Sequence, residues 1–283
     1  MAAALSFDLV VATVDRTKEL AALLEALAAQ THPQLRLVLV DQNDDDRVER
    51  LLDAHPTLTS LHLRAPRGLS RARNAALPHL AADLVAFPDD DCLYPPDLLS
   101  RVALRFAGDD RLDGLSGRPV AADGRSVGRW PTGPERITLD TVWHRANSHT
   151  IFLRSELVEN IGTFDEALGL GSGTPWASGE EIDYLARALR FGARVEYDPS
   201  IEITHPVKAV TREELVALGR RDGASVGYVL ARNRYPIRTV ARMLVRPAVG
   251  SLVSLVLLHR TRARFHAATL VGRISGLRAG SRA

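Results

Sequence analysis

The chain has 283 residues, of which 46% are hydrophobic and 25% charged, proportions typical of a folded globular protein and not of a disordered one. Its single cysteine, Cys92, excludes an internal disulfide and a cysteine-based zinc site. The net charge of +2 conceals an asymmetry, because residues 232–283 contain 11 arginines and no acidic residue. Residues 1–231 therefore carry a net charge of about −9 and form an acidic body that precedes a basic tail.

Strand-like and helix-like segments alternate through the first hundred residues. Strands are predicted at 7–13, 35–41, 59–64 and 84–87, and helices at 16–30, 46–55, 70–77 and from Pro95 onward. This alternation indicates parallel strands joined by right-handed crossovers. The sequence therefore predicts an α/β fold with a Rossmann-like, mostly parallel sheet and flanking helices. The first residues lack the basic region of a signal peptide, so we expect a cytoplasmic protein.

The second half begins with a change of composition. Residues 108–145 are rich in Gly, Pro, Asp and Arg, which favours an irregular excursion over the sheet. After it we predict a strand at 147–154, a glycine-rich loop at 169–179, a helix at 180–192, one or two strands at 194–206 and a helix at 210–233.

The division of the chain follows its charge, with a body at residues 1–231 and a basic, amphipathic helical tail at 232–283. The apolar run in the tail, at 252–258, is too short and too interrupted to predict a transmembrane helix. Two interpretations of the tail stay open: helices that lie on an anionic membrane surface, and helices that pack on the body with their arginines in solvent. No motif indicates nucleic-acid binding.

Three consecutive carboxylates, Asp89, Asp90 and Asp91, follow the predicted strand at 84–87. They fall where a strand leaves the sheet, which is the edge at which open α/β sheets bind ligands. Neighbouring carboxylates repel one another unless a cation or donors compensate, and oxygen ligands suit Mg²⁺ or Mn²⁺. An isolated cluster of this kind would more simply be a solvated acidic loop.

Other polar residues are expected at the same edge. Thr13 and Arg16 follow the first strand, Asp41 ends the second, and residues 67–77 follow the third. Because parallel strands place their carboxyl ends along one edge, four loops are expected to meet there. This convergence favours a binding site over a single acidic loop.

Five segments in this order resemble the GT-A-fold, family 2 glycosyltransferases, which move a sugar from a nucleotide diphosphate to an acceptor. They are ATVDR (12–16), VDQND (40–44), GLSRARNAA (68–76), PDDDC (88–92) and SGEEIDYLARALRFG (178–192). The likeness covers about residues 7–206. It implies a bacterial type of enzyme that assembles cell-surface polysaccharides or glycolipids from a nucleotide-sugar donor.

The resemblance also implies roles for individual residues. Asp91 and Asp89 of the DXD-like segment would bind a divalent cation, Mg²⁺ or Mn²⁺, and His205 could complete that site. Asp41 would accept a hydrogen bond from the base, and Arg71 or Arg73 could pair with phosphate. The implied donor-binding residues are Thr13, Arg16, Asp41, Arg71, Arg73, Asp89 and Asp90.

The acceptor is expected to be a hydroxyl, which needs a general base as it attacks the sugar and inverts the anomeric centre. Glu181 aligns with the base of the family, although aspartate is common there, and Glu180 and Asp183 are its neighbours. Ser178 and Glu181 also form an S-x-x-E pattern, so a local capping box is the alternative. Spacing on a helix does not choose between Glu180 and Glu181.

Two other functions use the same fold. A sugar-nucleotide nucleotidyltransferase would need a glycine-rich and arginine-rich loop after the first strand, and ATVDRTKEL contains no glycine. A non-catalytic binding or scaffold protein would keep the fold without turnover. The arginine-rich tail motivates the further hypothesis of a lipid-linked acceptor and peripheral contact with an anionic membrane.

Overall fold

The structure is a computed structural model that describes residues 4–207 and 209–282. Its strands are β1 (Phe7–Thr13), β2 (Leu35–Asp41), β3 (Ser60–Arg64), β4 (Leu84–Ala86), β5 (Gly114–Val120), β6 (Glu135–Arg136), β7 (Ile151–Arg154) and β8 (Val195–Thr204). Its helices are α1 (Lys18–Ala28), α2 (Arg47–Asp53), α3 (Leu69–Ala76), α4 (Leu98–Ala107), α5 (Ser155–Ile161), α6 (Glu180–Arg190), α7 (Arg212–Arg232), α8 (Ile237–Val256) and α9 (Arg260–Gly280).

The strands form one mixed sheet in the order β3-β2-β1-β4-β7-β5-β8-β6. The first four strands are parallel to one another, as their alternation with helices predicts. β7 enters between β4 and β5 and runs antiparallel to both. The predicted α/β fold with a mostly parallel sheet and flanking helices is therefore confirmed.

The core lies against the sheet and is built from the periodic leucines of the first helix. Leucines at i, i+3, i+4 and i+7 share one face of a helix, and this face of α1 is fully buried. Each such side chain removed from water stabilises the fold by about 1.5 to 3 kcal/mol. The buried leucines of α1 are Leu20, Leu23, Leu24 and Leu27.

The expectation that residues 108–145 form only an irregular excursion is wrong, because β5 lies within this segment. β5 pairs with β8 on one side and β7 on the other, although it contains Gly117 and Pro119. The pairing with β8 shifts between Ser116 and Arg118, and an added Cβ at Gly117 would collide with the backbone of Ile201. A glycine therefore permits this close approach of two strands at a bulge.

The described residues divide into two compact units. The first contains residues 4–164 and 184–207, and the second contains residues 165–183 and 209–282. The predicted boundary after residue 231 differs from this division. α7, which ends at Arg232, packs extensively against α9 in the second unit.

In the second unit, α7 and α9 pack as a parallel pair through faces of glycine spaced four residues apart. The glycines of these faces are Gly219, Gly223 and Gly227 in α7 and Gly272, Gly276 and Gly280 in α9. An added Cβ at Gly276 would overlap the backbone oxygen of Ala224, and one at Gly227 would overlap that of Arg273. The two backbones therefore approach more closely than any side chain would allow.

α8 is long and apolar enough to cross a membrane by length and composition alone. Its 20 residues reach a mean hydropathy of 1.4, and only 22% of them are buried. The expectation that the tail is too short and too interrupted for such a helix is therefore wrong on length. The helix continues without a break through Arg246 and Pro247.

Candidate functional site

The carboxyl ends of β1 and β4 meet, and they bring the first loop against the three aspartates. Ala12 pairs with Asp89 in an isolated bridge beyond the end of β4. The hydroxyl of Thr13 donates a hydrogen bond to Asp90, with 2.8 Å between Oγ1 and Oδ2. Residues that are far apart in sequence thus lie together at this edge.

Asp90 and Asp91 are buried, and Arg16 compensates both charges. Its Nη1 donates to Oδ1 of Asp90 and lies 2.8 Å from Oδ2 of Asp91. Burial raises the pKa of Asp90, and the charge of Asp91 adds to this effect against the hydrogen bonds from Thr13 and Arg16. Arg16 therefore holds the acidic segment together from the first loop.

Asp89 faces two histidines. Nδ1 of His149 lies 3.1 Å from Oδ2 of Asp89, and Nε2 of His205 lies 3.8 Å from the same oxygen. The two imidazole rings stack, with centroids 4.6 Å apart. Burial raises the pKa of Asp89, but the hydrogen bond from His149 and the charges of His149, Arg73 and His205 outweigh it and hold that pKa below its usual value.

His205 also approaches the third carboxylate. Its Nε2 lies 3.1 Å from Oδ1 of Asp91, and this contact raises the pKa of the imidazole. Its Nδ1 lies 3.1 Å from the carbonyl oxygen of Pro206, which only accepts hydrogen bonds. The proton on Nδ1 is thereby fixed, and Nε2 is the nitrogen that faces the carboxylates.

These side chains fit a divalent cation. Ligand atoms from Asp89, His149 and His205 all lie within 4.8 Å of one another. In the part of the chain that the structure describes, the buried Nε2 of His149 has no hydrogen-bond partner. Two carboxylates and two imidazoles could hold a cation such as Mn²⁺, and a carbonyl behind His205 orients it in the manner usual for metal-binding histidines.

His149 was not among the residues predicted from the sequence. It precedes β7, which runs antiparallel to β4, so its position coincides with the carboxyl end of β4. The only signal in the sequence is a histidine in a polar segment directly before a strand. The antiparallel insertion of β7, which brings His149 to the site, is not visible in a pattern of alternating strands and helices.

Arg73 and Arg71 occupy different environments. Arg73 is buried, donates to Ser148 and lies 3.8 Å from Oδ1 of Asp89. Its guanidinium also lies over the ring of Phe87, 5.7 Å from the centroid. Arg71 is partly exposed and donates to the backbone oxygen of Arg67. Of the two predicted arginines, Arg73 therefore lies at the carboxylates.

Asp41 is completely buried at the end of β2, and both its oxygens contact the protein. Oδ1 accepts hydrogen bonds from the backbone and side-chain nitrogens of Asn43, and Oδ2 lies 3.3 Å from Nε2 of His62. Asn43 in turn accepts from the backbone nitrogen of Asp15. Asp41 thus organises the loop after β2 and ties it to the loop after β1.

The predicted base region belongs to the second unit, where α6 begins. Glu180 and Asp183 are buried and Glu181 is partly exposed, and Oδ1 of Asp183 accepts a hydrogen bond of 2.7 Å from Asn233. Because α6 begins at Glu180, Gly179 and not Ser178 precedes its first residue. The register needed for a capping box with Ser178 at the N-cap is therefore absent.

The glycine-rich loop before α6 is anchored within the second unit. The indole of Trp176 stacks on the ring of Tyr228 in α7, with centroids 5.0 Å apart and planes 13° apart. Ser178 donates to Oδ1 of Asp222, also in α7. These contacts hold the chain that leads into Glu180.

Comparison with known protein families identifies the first unit. A model described as glycosyl transferase family 2 matches residues 8–164, more than half of the chain. The chain belongs to this family. It is a family 2 glycosyltransferase with the GT-A fold, as the order of its motifs predicts.

Two curated relatives align with this family 2 glycosyltransferase over 79% of its length. The succinoglycan biosynthesis protein ExoM of Rhizobium meliloti is 26% identical over 238 residues, which cover 75% of ExoM. The pre-mycofactocin glycosyltransferase of Mycobacterium tuberculosis is 24% identical over 237 residues. The aligned segment covers only 47% of that second relative.

Solved structures share the fold at lower sequence identity. The mannosyltransferase PcManGT from Pyrobaculum calidifontis, in complex with GDP-Man and Mn²⁺, superposes with a TM-score of 0.65 at 17% identity and covers 98% of this chain and 88% of its own. S. aureus TarS superposes with a TM-score of 0.63 at 17% identity, covering 95% of this chain and 55% of TarS. A shorter form of TarS was solved with UDP.

Proposed function

We propose that this family 2 glycosyltransferase transfers a sugar from a nucleotide-diphosphate donor to a hydroxyl acceptor, with inversion and with a divalent cation. The observation that carries this proposal is the cluster of Asp89, Asp91, His149 and His205 beyond β4, within the segment that matches the family. Binding of GDP-Man with Mn²⁺ by PcManGT and of UDP by TarS supports the nucleotide-sugar part of it.

The donor would lie along the loops that follow β1 to β4. Breaking the bond between the sugar and the diphosphate adds negative charge to the leaving group, and a bound cation offsets that charge. Asp89, Asp91, His149 and His205 would hold the cation. Thr13, Arg16 and Asp90 shape the site from the first loop, and Arg73 beside Asp89 adds a positive charge.

The nucleoside would lie near the loop after β2. Asp41 and Asn43 fix this loop, and Asp41 is the predicted partner of the base. Arg71, which is partly exposed on α3, remains the second predicted partner of phosphate. Neither residue alone defines which base is bound.

The chemical step is a single displacement at the anomeric carbon. The acceptor oxygen attacks that carbon, the bond to the diphosphate oxygen breaks, and the hydroxyl proton passes to a carboxylate of the enzyme. We assign this proton to Glu181, with Glu180 and Asp183 as neighbouring acids at the start of α6. A helix N-terminus favours the ionised carboxylate that a base must have.

The acceptor is proposed to be a growing polysaccharide or glycolipid, as the name of ExoM suggests for that relative. The basic tail, with 11 arginines and no acid, supports a lipid-linked acceptor and peripheral contact with the anionic inner face of a membrane. The proposed location is therefore the cytoplasm and its membrane surface.

Thermal unfolding in the presence of candidate donors tests the proposal. A panel of nucleoside diphosphates and nucleotide-sugars is added with and without Mn²⁺. At a hundredfold excess over its dissociation constant, a true donor stabilises the native state by about 2.7 kcal/mol. The stabilisation must require the cation, and release of the nucleoside diphosphate on addition of an acceptor must follow the same donor preference.

Two variants sharpen this experiment. Asp91→Ala removes a proposed cation ligand and should abolish the shift, whereas Asp123→Ala, on an exposed turn, should leave it unchanged. If no nucleotide stabilises the native protein under any cation condition, the donor-site assignment is wrong.

A further inference from the structure

The most exposed apolar surface of the chain is the end of α8 and the turn that follows it. This segment, the apolar tip, comprises residues 247–258, PAVGSLVSLVLL, and contains no charged residue. The side chains of Val256 and Leu258 are 81% and 82% exposed. The other exposed apolar residues of the tip are Val249, Leu252, Val253, Leu255 and Leu257. A contiguous apolar surface of this kind marks an interaction site.

Exposed arginines flank the apolar tip in the sequence on both sides. Arg238, Arg242 and Arg246 precede it on α8, and Arg260, Arg262 and Arg264 follow it at the start of α9. We call these six residues the basic collar. An apolar segment with arginines at both borders matches the layers of an anionic leaflet, where acyl chains lie beneath negative headgroups.

The backbone at the end of the tip adds to this pattern. Leu258 adopts a φ of 56°, in the left-handed region that favours glycine or asparagine. A leucine here is both conformationally unfavourable and almost fully exposed to water. Contact with an apolar phase would compensate for both costs.

A cleft at the same place has matching chemistry. It has a volume of about 430 Å³ and lies where α7, α8 and α9 meet in the second unit. Leu215, Val253, Leu257 and Phe265 supply apolar walls, and Arg262 lies at its lining. Apolar walls beside an arginine suit an amphiphile with an anionic group.

The other occupants of an apolar surface fit less well. A second copy of the chain would bring two acid-free, arginine-rich tails together, which like charges oppose. A helix that spans the bilayer would place Arg242 and Arg246 in hydrocarbon, where charges are unfavourable. The helical part of the tip is only about 15 Å long, roughly half the thickness of the hydrocarbon core.

We propose that the apolar tip inserts into a single leaflet of an anionic membrane, with the basic collar at the level of the phosphate groups. This rests on the proposed membrane contact of the tail and adds the segment that enters the bilayer and its depth. The ligand class is an anionic phospholipid surface.

Flotation with vesicles of phosphatidylcholine, with or without phosphatidylglycerol, measures binding. The protein should float only with the anionic vesicles. The double variant Val256→Asp with Leu258→Asp should bind at least about tenfold more weakly, because it places charges where apolar side chains enter the bilayer. A matched control, Leu104→Asp with Phe191→Asp, changes two equally exposed apolar residues of the first unit and should bind as the unchanged protein does.

A fluorophore at the tip measures depth. Cys92 is buried, so a Leu257→Cys variant can be labelled selectively with an environment-sensitive dye. Its emission should shift to the blue on anionic vesicles and be quenched most strongly by lipids labelled in the upper acyl region. Quenching that is strongest at the bilayer centre would indicate a spanning helix and overturn the single-leaflet arrangement.

The remaining outcomes separate this inference from the proposed function. Flotation without a blue shift would mean that the arginines bind the surface without insertion, which overturns the inference and leaves the membrane contact. Absence of flotation would overturn both. Neither result bears on stabilisation by a nucleotide-sugar, which tests the catalytic proposal independently. A blue shift that depends on protein concentration without vesicles would assign the tip to self-association and also overturn the inference.

Discussion

Nδ1 of His149 lies 3.1 Å from Oδ2 of Asp89, although 59 residues separate the two in the chain. The contact adds an imidazole to a site that three aspartates would otherwise make an all-oxygen one. Mg²⁺ prefers oxygen ligands, whereas imidazole suits transition metals. The second histidine, His205, reinforces the same preference.

We therefore expect His149→Gln to weaken Mn²⁺ binding by about 10- to 100-fold and to reduce the preference for Mn²⁺ over Mg²⁺. Electron paramagnetic resonance of free Mn²⁺ during titration, with Mg²⁺ as competitor, measures both quantities without turnover. The exposed residue His79 offers a control, His79→Gln. An unchanged preference in the His149 variant would remove this residue from the cation site.

The buried guanidinium of Arg73 is expected to be essential for stability. Arg73→Met removes the positive charge beside Asp89 and the contact with Phe87, and should lower the free energy of unfolding by about 3 kcal/mol. Urea unfolding measures the change. Arg71→Met, on the partly exposed side of the same helix, should cost less than about 1 kcal/mol. Equal losses in the two variants would contradict the environment assigned to Arg73.

Glu181→Gln should lower kcat by about 10² to 10⁴ while the dissociation constant of the donor stays the same, because a general base acts in the chemical step and not in donor binding. Single-turnover kinetics and donor titration separate these two quantities. Glu180→Gln and Asp183→Asn provide the comparison at the neighbouring acids. If the largest loss in kcat belongs to Glu180→Gln, the base is one residue earlier.

The packing of α7 on α9 leads to a prediction whose sign is opposite to the usual one. Gly→Ala inside a helix normally stabilises by about 1 kcal/mol, but a methyl at Gly276 would overlap the backbone of Ala224. Gly276→Ala should therefore destabilise the second unit by about 1 to 3 kcal/mol. Urea unfolding followed by far-UV circular dichroism reports the loss of helix.

Gly133→Ala is the control for this variant, since an added Cβ there meets no atom within 4 Å. Its unfolding curve should match that of the unchanged protein. A Gly276→Ala variant as stable as this control would show that the two helices lie farther apart than described.

The thiol of Cys92 should not react with Ellman's reagent in the native state, because the side chain is fully buried. Reaction should begin only as urea unfolds the first unit, with the same midpoint as the loss of circular dichroism. Rapid reaction in the absence of urea would indicate local opening beside the three aspartates.

Much of the first unit could be predicted from the sequence because its signals are local. The leucines of α1 and the strand ending in Asp89 each carry their own pattern, and parallel topology then brings their loops together. The missed features depend on long-range pairing. β5 was hidden by Gly117 and Pro119 at a bulge, and His149 reaches the site only because β7 runs antiparallel to β4.

The tail shows the same limit. Composition predicted helices and a basic surface, but the glycines of α7 and α9 have no meaning separately. Their spacing becomes informative only when the two faces are placed together. Hydropathy likewise identified the apolar run in α8, whereas its length as a helix depended on how Pro247 is accommodated, and this proline is buried within α8.

The parallel pairing of α7 with α9 has a consequence for synthesis, because α8 lies between them in the chain. As the polypeptide leaves the ribosome, the glycine face of α7 is made first and stays vacant until α9 has emerged. During that interval the vacant groove can accept any matching helix. An exchange of α9 between two nascent copies, which would produce a domain-swapped dimer, would begin at this groove.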